Sequence, residues 1–267
     1  MSGWVLCVFG VIWRESLRFV HQRERFIASL VRPLVWLLIF AAGFRAILGV
    51  SIAPPYETYI LYEVYVLPGL CAMVQLFNGM QSSLSMVYDR EAGSMRVLLV
   101  SPYPRWFLLA AKLLASVTIS LFQVYAFLGL AWLLGVRAPG AGYLAVLPAL
   151  VLSGLLLGAV GLLMSSLIRQ LENFAGVMNF VIFPMFFAST ALYPLWRLEE
   201  SSQILAWLAR LNPFTHCVEL IRFAFYLKVA PLAAGVVAAS LIVVLGLAVL
   251  AYDPSRGLMA RRHGGRV

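Results

Sequence analysis

The feature that most constrains this chain is a set of apolar runs of about twenty residues, nearly free of charge. A helix needs about 20 apolar residues to cross roughly 30 Å of hydrocarbon. A transmembrane barrel would show short alternating segments instead, and those are absent. The runs therefore predict an all-α integral membrane protein. Composition agrees, with 63% hydrophobic and 12% charged residues and a mean hydropathy of +0.92. A soluble domain is roughly half apolar and a quarter charged.

Six spans are placed, at Leu30–Val50, Tyr59–Val87, Trp106–Val136, Tyr143–Ile168, Phe174–Trp196 and Ala230–Tyr252. The second and third are longer than a crossing requires, so they tilt, kink or project, with Pro68-Gly69 as a bend point in the second. Residues 1–28 read as an amphipathic helix in the membrane interface, anchored by Trp4, Phe9 and Trp13. Residues 29–267 make one six-span domain. Arg14, Arg18, Arg23 and Arg25 follow the N-terminal apolar run instead of preceding it, which is the wrong order for a signal peptide. Between the fifth and sixth spans lie Ile204–Leu211 and Phe214–Leu227, too short to cross and too apolar for a loop. A re-entrant pair around Asn212-Pro213 fits them. Gly154, Gly158 and Gly161 in "SGLLLGAVG" let helices approach closely, either within one subunit or at a moving interface.

Basic residues set the orientation. Arg14, Arg18, Arg23, Arg25, Arg32, Arg90, Arg96, Arg105, Lys112, Arg169, Arg256, Arg261, Arg262 and Arg266 fall on one side. Only Arg45, Arg137, Arg197, Arg210, Arg222 and Lys228 fall on the other. The excess predicts both termini and the Tyr88–Trp106 connector in the cytoplasm. The net charge of +9 thus resides in connectors and tails and marks topology, not a nucleic-acid face.

Much chemistry is missing. The only lysines are Lys112 and Lys228, and neither ends a glycine-rich phosphate loop. Cys7, Cys71 and Cys217 are scattered, as are His21, His216 and His263, with no metal-ligand spacing. No catalytic cluster at one depth stands out, as a membrane enzyme would need. Glu63 is the one acid well inside an apolar stretch. It is either a functional intramembrane acid, as in an ion-coupled secondary transporter, or an interfacial residue among Tyr56, Tyr59, Tyr62 and Tyr65.

The connector "YDREAGSMRVLLVSPYPRW" is unusually structured for a turn between two spans. Asp89, Arg90 and Glu91 end the second span, Gly93 breaks it, and Ser94 caps a new helix. Met95–Val100 then forms under two turns, stopped by Pro102, while Pro104 starts the third span. The residues alone leave two readings: a plug for a soluble partner, or a turn whose apolar residues rest on the membrane.

"DREAGSMRVLLVSPYPRWFLLAAKLL" resembles the cytoplasmic signature of ABC type-2 exporter permeases, at Glu91, Gly93, Ser94, Leu98, Leu99, Ser101, Pro102 and Lys112. "LPGL" at Leu67–Leu70 resembles the Pro-Gly of that family's second span. "LNPFTHCVELIRFAFY" resembles its Asn-Pro segment before the last span. That last segment is similar to permeases of nodulation-factor export and of quinoprotein alcohol dehydrogenase systems. Arg96-Val97 departs from the Leu-Glu of many relatives.

The resemblance implies a permease subunit in a bacterial inner (cell) membrane, working as a homodimer or with a paralogous permease. It moves an amphipathic or lipid-linked substrate outward. This chain binds no cofactor; ATP and magnesium sit on a separate ABC ATPase. That partner docks on a coupling helix comprising Asp89, Glu91, Gly93, Ser94, Arg96, Leu98, Leu99, Ser101 and Pro102. A second contact is expected at Arg169, Gln170, Glu172 and Asn173. Tyr62, Glu63, Tyr65 and Gln75 of the second span, with Asn179, Phe183, Phe187 and Tyr193 of the fifth, are expected to line the translocation path.

Overall fold

The apolar runs become helices that differ in what surrounds them. The computed structural model describes residues 3–21, 23–44, 55–56, 60–91, 103–168 and 170–251. At the N-terminus, α1 (Gly3–His21) leads into α2 (Arg23–Phe44), followed by the 30-residue α3 (Tyr62–Glu91). Then come α4 (Arg105–Leu133), the single turn α5 (Gly142–Ala145), α6 (Leu147–Leu167) and α7 (Leu171–Phe187). Three short helices, α8 (Leu195–Ser201), α9 (Gln203–Leu211) and α10 (Pro213–Phe225), precede α11 (Pro231–Ala251). Short helices thus stand at both halves of the expected re-entrant pair.

Trp106–Leu133, Gly142–Leu167 and Pro231–Ala251 are long and apolar enough to cross a membrane. Phe26–Ile39 and Gly176–Phe187 are shorter apolar helices. Among the described residues, length and composition therefore mark three clear spans, against the six expected. The second expected span is less apolar because of its position. It is α3, about 45 Å long at 1.5 Å per residue, and it packs on α2, α4, α6, α7 and α10. Protein rather than lipid surrounds it, so it tolerates Gln75, Asn78 and Ser83 in buried positions. At the other extreme, α11 buries only Ala233, Val237 and Ala248. It has little but side-chain hydrocarbon to offer its surroundings.

The central contact is α3 on α6. Gln75 lies beside Leu150, Gly79 beside Gly158, and Met86 beside Ser165, so the two helices run parallel. A Cβ on Gly161 would sit 2.5 Å from the Gly79 carbonyl oxygen. One on Gly79 would sit 2.9 Å from the Gly158 Cα. The small-residue motif therefore serves packing inside one subunit, the first of its two readings. Polar side chains fasten the same core. Gln75 Nε2 donates to the Leu150 carbonyl at 2.7 Å, Asn78 Nδ2 to the Ser116 carbonyl at 2.9 Å, and Gln123 Nε2 to Ser29 Oγ at 3.0 Å. Such bonds contribute about 0.6 kcal/mol each inside membranes.

Two boundaries differ from expectation. The first apolar helix begins at Arg23, ahead of Leu30, and carries Arg32 with it. That guanidinium lies 4.0 Å over the Phe77 ring. The fifth helix stops at Phe187 instead of reaching Trp196. Pro184 already removes one helical donor. Ser189 then donates to the Phe186 carbonyl at 2.6 Å and accepts from the Ala191 N–H at 3.2 Å, which turns the chain. Hydropathy does not register that break, because Ala188–Leu192 remains mostly apolar.

Candidate functional site

At one end of the bundle, α3 ends and α4 begins, with α6 and α7 meeting beside them. Asp89 and Glu91 fall on the last turn of α3. Gly93, Ser94, Arg96, Leu98, Leu99, Ser101 and Pro102 lie outside the described residues, as does Arg169. Tyr103 and Pro104 lead into α4, with Pro104 extended (φ −65°, ψ 150°) at the N-cap position. Here α1 grips the root of the connector. The Trp4 ring meets Tyr103 edge-on at 5.1 Å and Phe107 at 4.6 Å. Further along α1, Glu15 shares a cavity of about 10 Å³ with Lys112 of α4 and Ser82 and Ser85 of α3. Phe9 and Trp13 stack on each other at 6.4 Å and stay exposed.

The second expected contact lies at the same end. The Ser165 hydroxyl reaches Met86 Sδ at 4.0 Å, so α6 ends close to the end of α3. The turn into α7 follows within three residues. Gln170 and Asn173 are exposed there, and Asn173 Nδ2 donates to Gln170 Oε1 at 2.7 Å. Glu172 is on the first turn of α7.

The eight residues expected along a path do not form one group. Tyr62, Glu63, Tyr65 and Gln75 are buried inside the subunit. Asn179, Phe183 and Phe187 are exposed on α7, on a face that also presents Gly176, Val177 and Phe180. Tyr193 is half-buried in the turn after α7. Trp36 of α2 meets Phe187 edge-on at 6.1 Å, so α2 and α7 share that outward face.

The buried tyrosines serve the turn at the far end. Where α7 unwinds, its last carbonyls lose their helical donors, and an unpaired carbonyl away from water is costly. Four carbonyls of this turn find a side chain from another element. Asn212 Nδ2 donates to the Met185 and Ala188 carbonyls at 2.7 Å each. Tyr65 Oη and Arg222 Nη2 both donate to the Thr190 carbonyl, at 3.0 and 2.7 Å. Tyr62 Oη donates to the Leu192 carbonyl at 2.8 Å. The Arg222 guanidinium also lies 4.1 Å over the Tyr65 ring. Finally, Asn212 Oδ1 accepts from the Phe214 N–H at 3.0 Å and so caps α10, with Pro213 as its first residue. A broken helix is thereby locked to α3 and α10.

Asn212 and Arg222 are the residues that reading the sequence missed in this role. A signal existed: Asn-Pro is a helix-start pair, and Arg222 is one charge in the apolar run "LIRFAF". An arginine only 4% exposed among apolar neighbours needs partners. Among the described residues no three His, Cys, Asp or Glu side chains group for a metal ion, and Cys71 and Cys217 are buried free thiols.

Comparison with known proteins bears on this arrangement. The chain is 26% identical over 224 residues to the transport permease ycf38 of Cyanophora paradoxa, covering 82% of this chain and 73% of that protein. A ycf38 of Porphyra purpurea is also 26% identical, over 225 residues, covering 81% and 72%. The protein YbhR of Escherichia coli K12, whose name describes a multidrug ABC transporter permease, is 33% identical over 181 residues. That match takes in 66% of this chain but 47%, about half, of YbhR. The profile of the ABC-2 type transporter family matches residues 7–226, which runs from α1 to the end of α10 and takes in both the connector and the locked turn, and the chain therefore belongs to that family.

Proposed function

We propose that this chain is the permease subunit of an ATP-driven exporter that moves an amphipathic or lipid-linked substrate. A separate ABC ATPase, holding ATP and magnesium, supplies the energy. The observation that carries the reading is that the chain leaves α3 and α6 at the same end of the bundle, where Met86 lies beside Ser165. One link, between α3 and α4, ends in the aromatic grip of Trp4 on Tyr103 and Phe107. The other is the three-residue link, 168–170, between α6 and α7. A partner seated on both would push α3, α4 and α6 together, because glycine packing and buried amides bind those helices into one body. Rigid transfer of that kind suits a two-state transporter.

In this reading α2, α3, α4, α5–α6, α7 and α11 are the six crossings, with both termini in the cytoplasm of a bacterial inner membrane. The short helices α9 and α10 dip into the outer leaflet. Two copies, or one copy and a paralogous permease, face each other across the exposed α2 and α7 surface, and the substrate passes between them. Asn179, Phe183 and Phe187, which are exposed on α7, line that path in this reading. Tyr62, Tyr65 and Gln75 act behind it by holding the subunit together.

The test is ATP hydrolysis and transport by the co-purified complex in lipid, for wild type, Gly93→Pro and Leu98→Asp. Loss of the ATPase partner, or of coupling between hydrolysis and transport, supports the reading. Transport that needs no ATPase and disappears in Glu63→Gln would replace it with an ion-coupled carrier.

A further inference from the structure

Arg32 is a charge in an otherwise apolar setting. From Phe26 to Phe44 of α2, and from Phe174 to Phe187 of α7, no other charged residue occurs. Because α2 begins at Arg23, Arg32 falls inside the helix and not at its edge. Its neighbours on α3 fix its depth. The guanidinium lies 4.0 Å over the Phe77 ring. Asn78, the next residue, bonds to the Ser116 carbonyl, ten residues past the start of the α4 span at Trp106. Gly79 lies against Gly158, nine residues before the end of the α6 span at Leu167. At 1.5 Å per residue, the guanidinium is about 14–15 Å inside the bundle from the end where α3 meets α4. That is on the order of half the hydrocarbon thickness.

A guanidinium carries five N–H donors and stays charged. Among the described residues, none of these donors meets a side-chain or carbonyl acceptor and no carboxylate pairs with them; the Phe77 ring is the contact Arg32 makes. Phe77 is only 7% exposed, so that ring is held in place. Cation–π attraction seats the face of the guanidinium on it. Arg32 itself is exposed, which leaves the N–H edge open. A charge inside a span without a protein counter-charge marks a place where a ligand or ion arrives.

The surroundings suit an amphipath. Trp36, one turn along α2 from Arg32, meets Phe187 edge-on at 6.1 Å, and Phe183 stacks on Phe187 at 6.1 Å. Both helices run away from the end where α3 meets α4. Counted back from the Trp36–Phe187 contact, Arg32 is about 6 Å and exposed Asn179 about 12 Å nearer that end. A guanidinium and an amide thus stand near one depth, beside an aromatic surface that carries no acid. We propose that Arg32 receives the acidic group of the substrate, a phosphate or a carboxylate, while the apolar part lies on Trp36, Phe183 and Phe187. The planar N–H fork matches either oxyanion with two parallel bonds. Arg32 has this role only if the α2 and α7 surface is the path proposed above. The cargo is then an acidic amphipath, since a cationic one would meet repulsion with no carboxylate to offset it.

The full chain in neutral detergent, stripped of lipid, is titrated with dodecyl phosphate or dodecyltrimethylammonium and read by native mass spectrometry. Wild type is expected to retain the phosphate about tenfold more tightly, as one charge-assisted hydrogen-bonded pair implies. Arg32→Gln should lose that preference. Arg32→Lys, which keeps the charge without the fork, should keep part of it. Equal retention of the two amphipaths by wild type would overturn the proposal, as would a preference unchanged in Arg32→Gln. Arg32-dependent retention of phosphatidylglycerol that dodecyl phosphate does not displace would also overturn it, by giving the guanidinium to a resident lipid headgroup. ATP hydrolysis by the co-purified complex separates the anion site from the path. Dodecyl phosphate should stimulate hydrolysis in wild type and not in Arg32→Gln. Arg32-dependent binding without stimulation would keep an anion site but remove it from the α2 and α7 path, and the substrate role would fall with that reading.

Discussion

Asn212 is the residue whose loss should reveal most about how this fold is held. Its side chain makes three contacts, to the Met185 and Ala188 carbonyls and from the Phe214 N–H. Asn212→Ala removes all of them. The lost cap costs about 1 kcal/mol. Each carbonyl left without a donor at a half-buried site costs about 1 kcal/mol more, for a total near 3 kcal/mol. In a chain of this size that lowers the unfolding temperature by roughly 6–12 °C. Asn212→Asp separates the contributions, since a carboxylate keeps the cap on α10 but cannot donate to either carbonyl. It also sets negative charge against two carbonyl oxygens, so it should be at least as damaging as Asn212→Ala. The buried thiols of Cys71 and Cys217 provide the assay. In a Cys7→Ser background, a thiol-reactive fluorophore reports their exposure on heating in detergent. If Asn212→Asp melts with wild type, the carbonyl lock does not hold the end of α7, and the reasoning fails.

Three further outcomes follow from the same contacts. Gly161→Ala drives a Cβ to 2.5 Å from the Gly79 carbonyl oxygen and should cost about 1–3 kcal/mol; Gly235→Ala meets nothing within 4 Å and should be neutral or slightly stabilising in the same melt. Arg222→Met and Tyr65→Phe each remove one of two donors to the Thr190 carbonyl; the double variant should show coupling of about 1 kcal/mol or more, and strict additivity would mean the contacts are independent. Trp4→Ala deletes two edge-on aromatic contacts of about 0.5–1.5 kcal/mol each; trypsin should then cut faster at Arg14 and Arg18, and unchanged rates would show that the grip does not dock α1.

Helix-forming runs were legible because hydropathy is written residue by residue. Long apolar segments announce α4, α5–α6 and α11 without reference to anything else, and α9 and α10 follow from the flanks of Asn212-Pro213. The role of α3 was harder to see. Its polar residues weaken the hydropathy signal, and only its surroundings explain why they are tolerated. Gln75, with Tyr62 and Tyr65, looked like the lining of a path because polar and aromatic groups in a span draw attention. Each has a backbone carbonyl as its partner, and none of those carbonyls is near in sequence: Tyr65 and Thr190 are separated by 125 positions.

By itself, then, the sequence determined that the chain is helical, that it belongs in a membrane, and that its connector and Asn-Pro segment match one permease family. These properties depend on composition, on helical spacing and on short motifs, all of which are local. Tertiary structure alone decided that the glycines of α6 serve contact with α3, that α7 breaks at Phe187, and that Asn212, Arg222, Tyr62 and Tyr65 close the break. Those outcomes depend on which backbone groups lack donors once the helices pack, and a missing donor is a property of the assembled bundle.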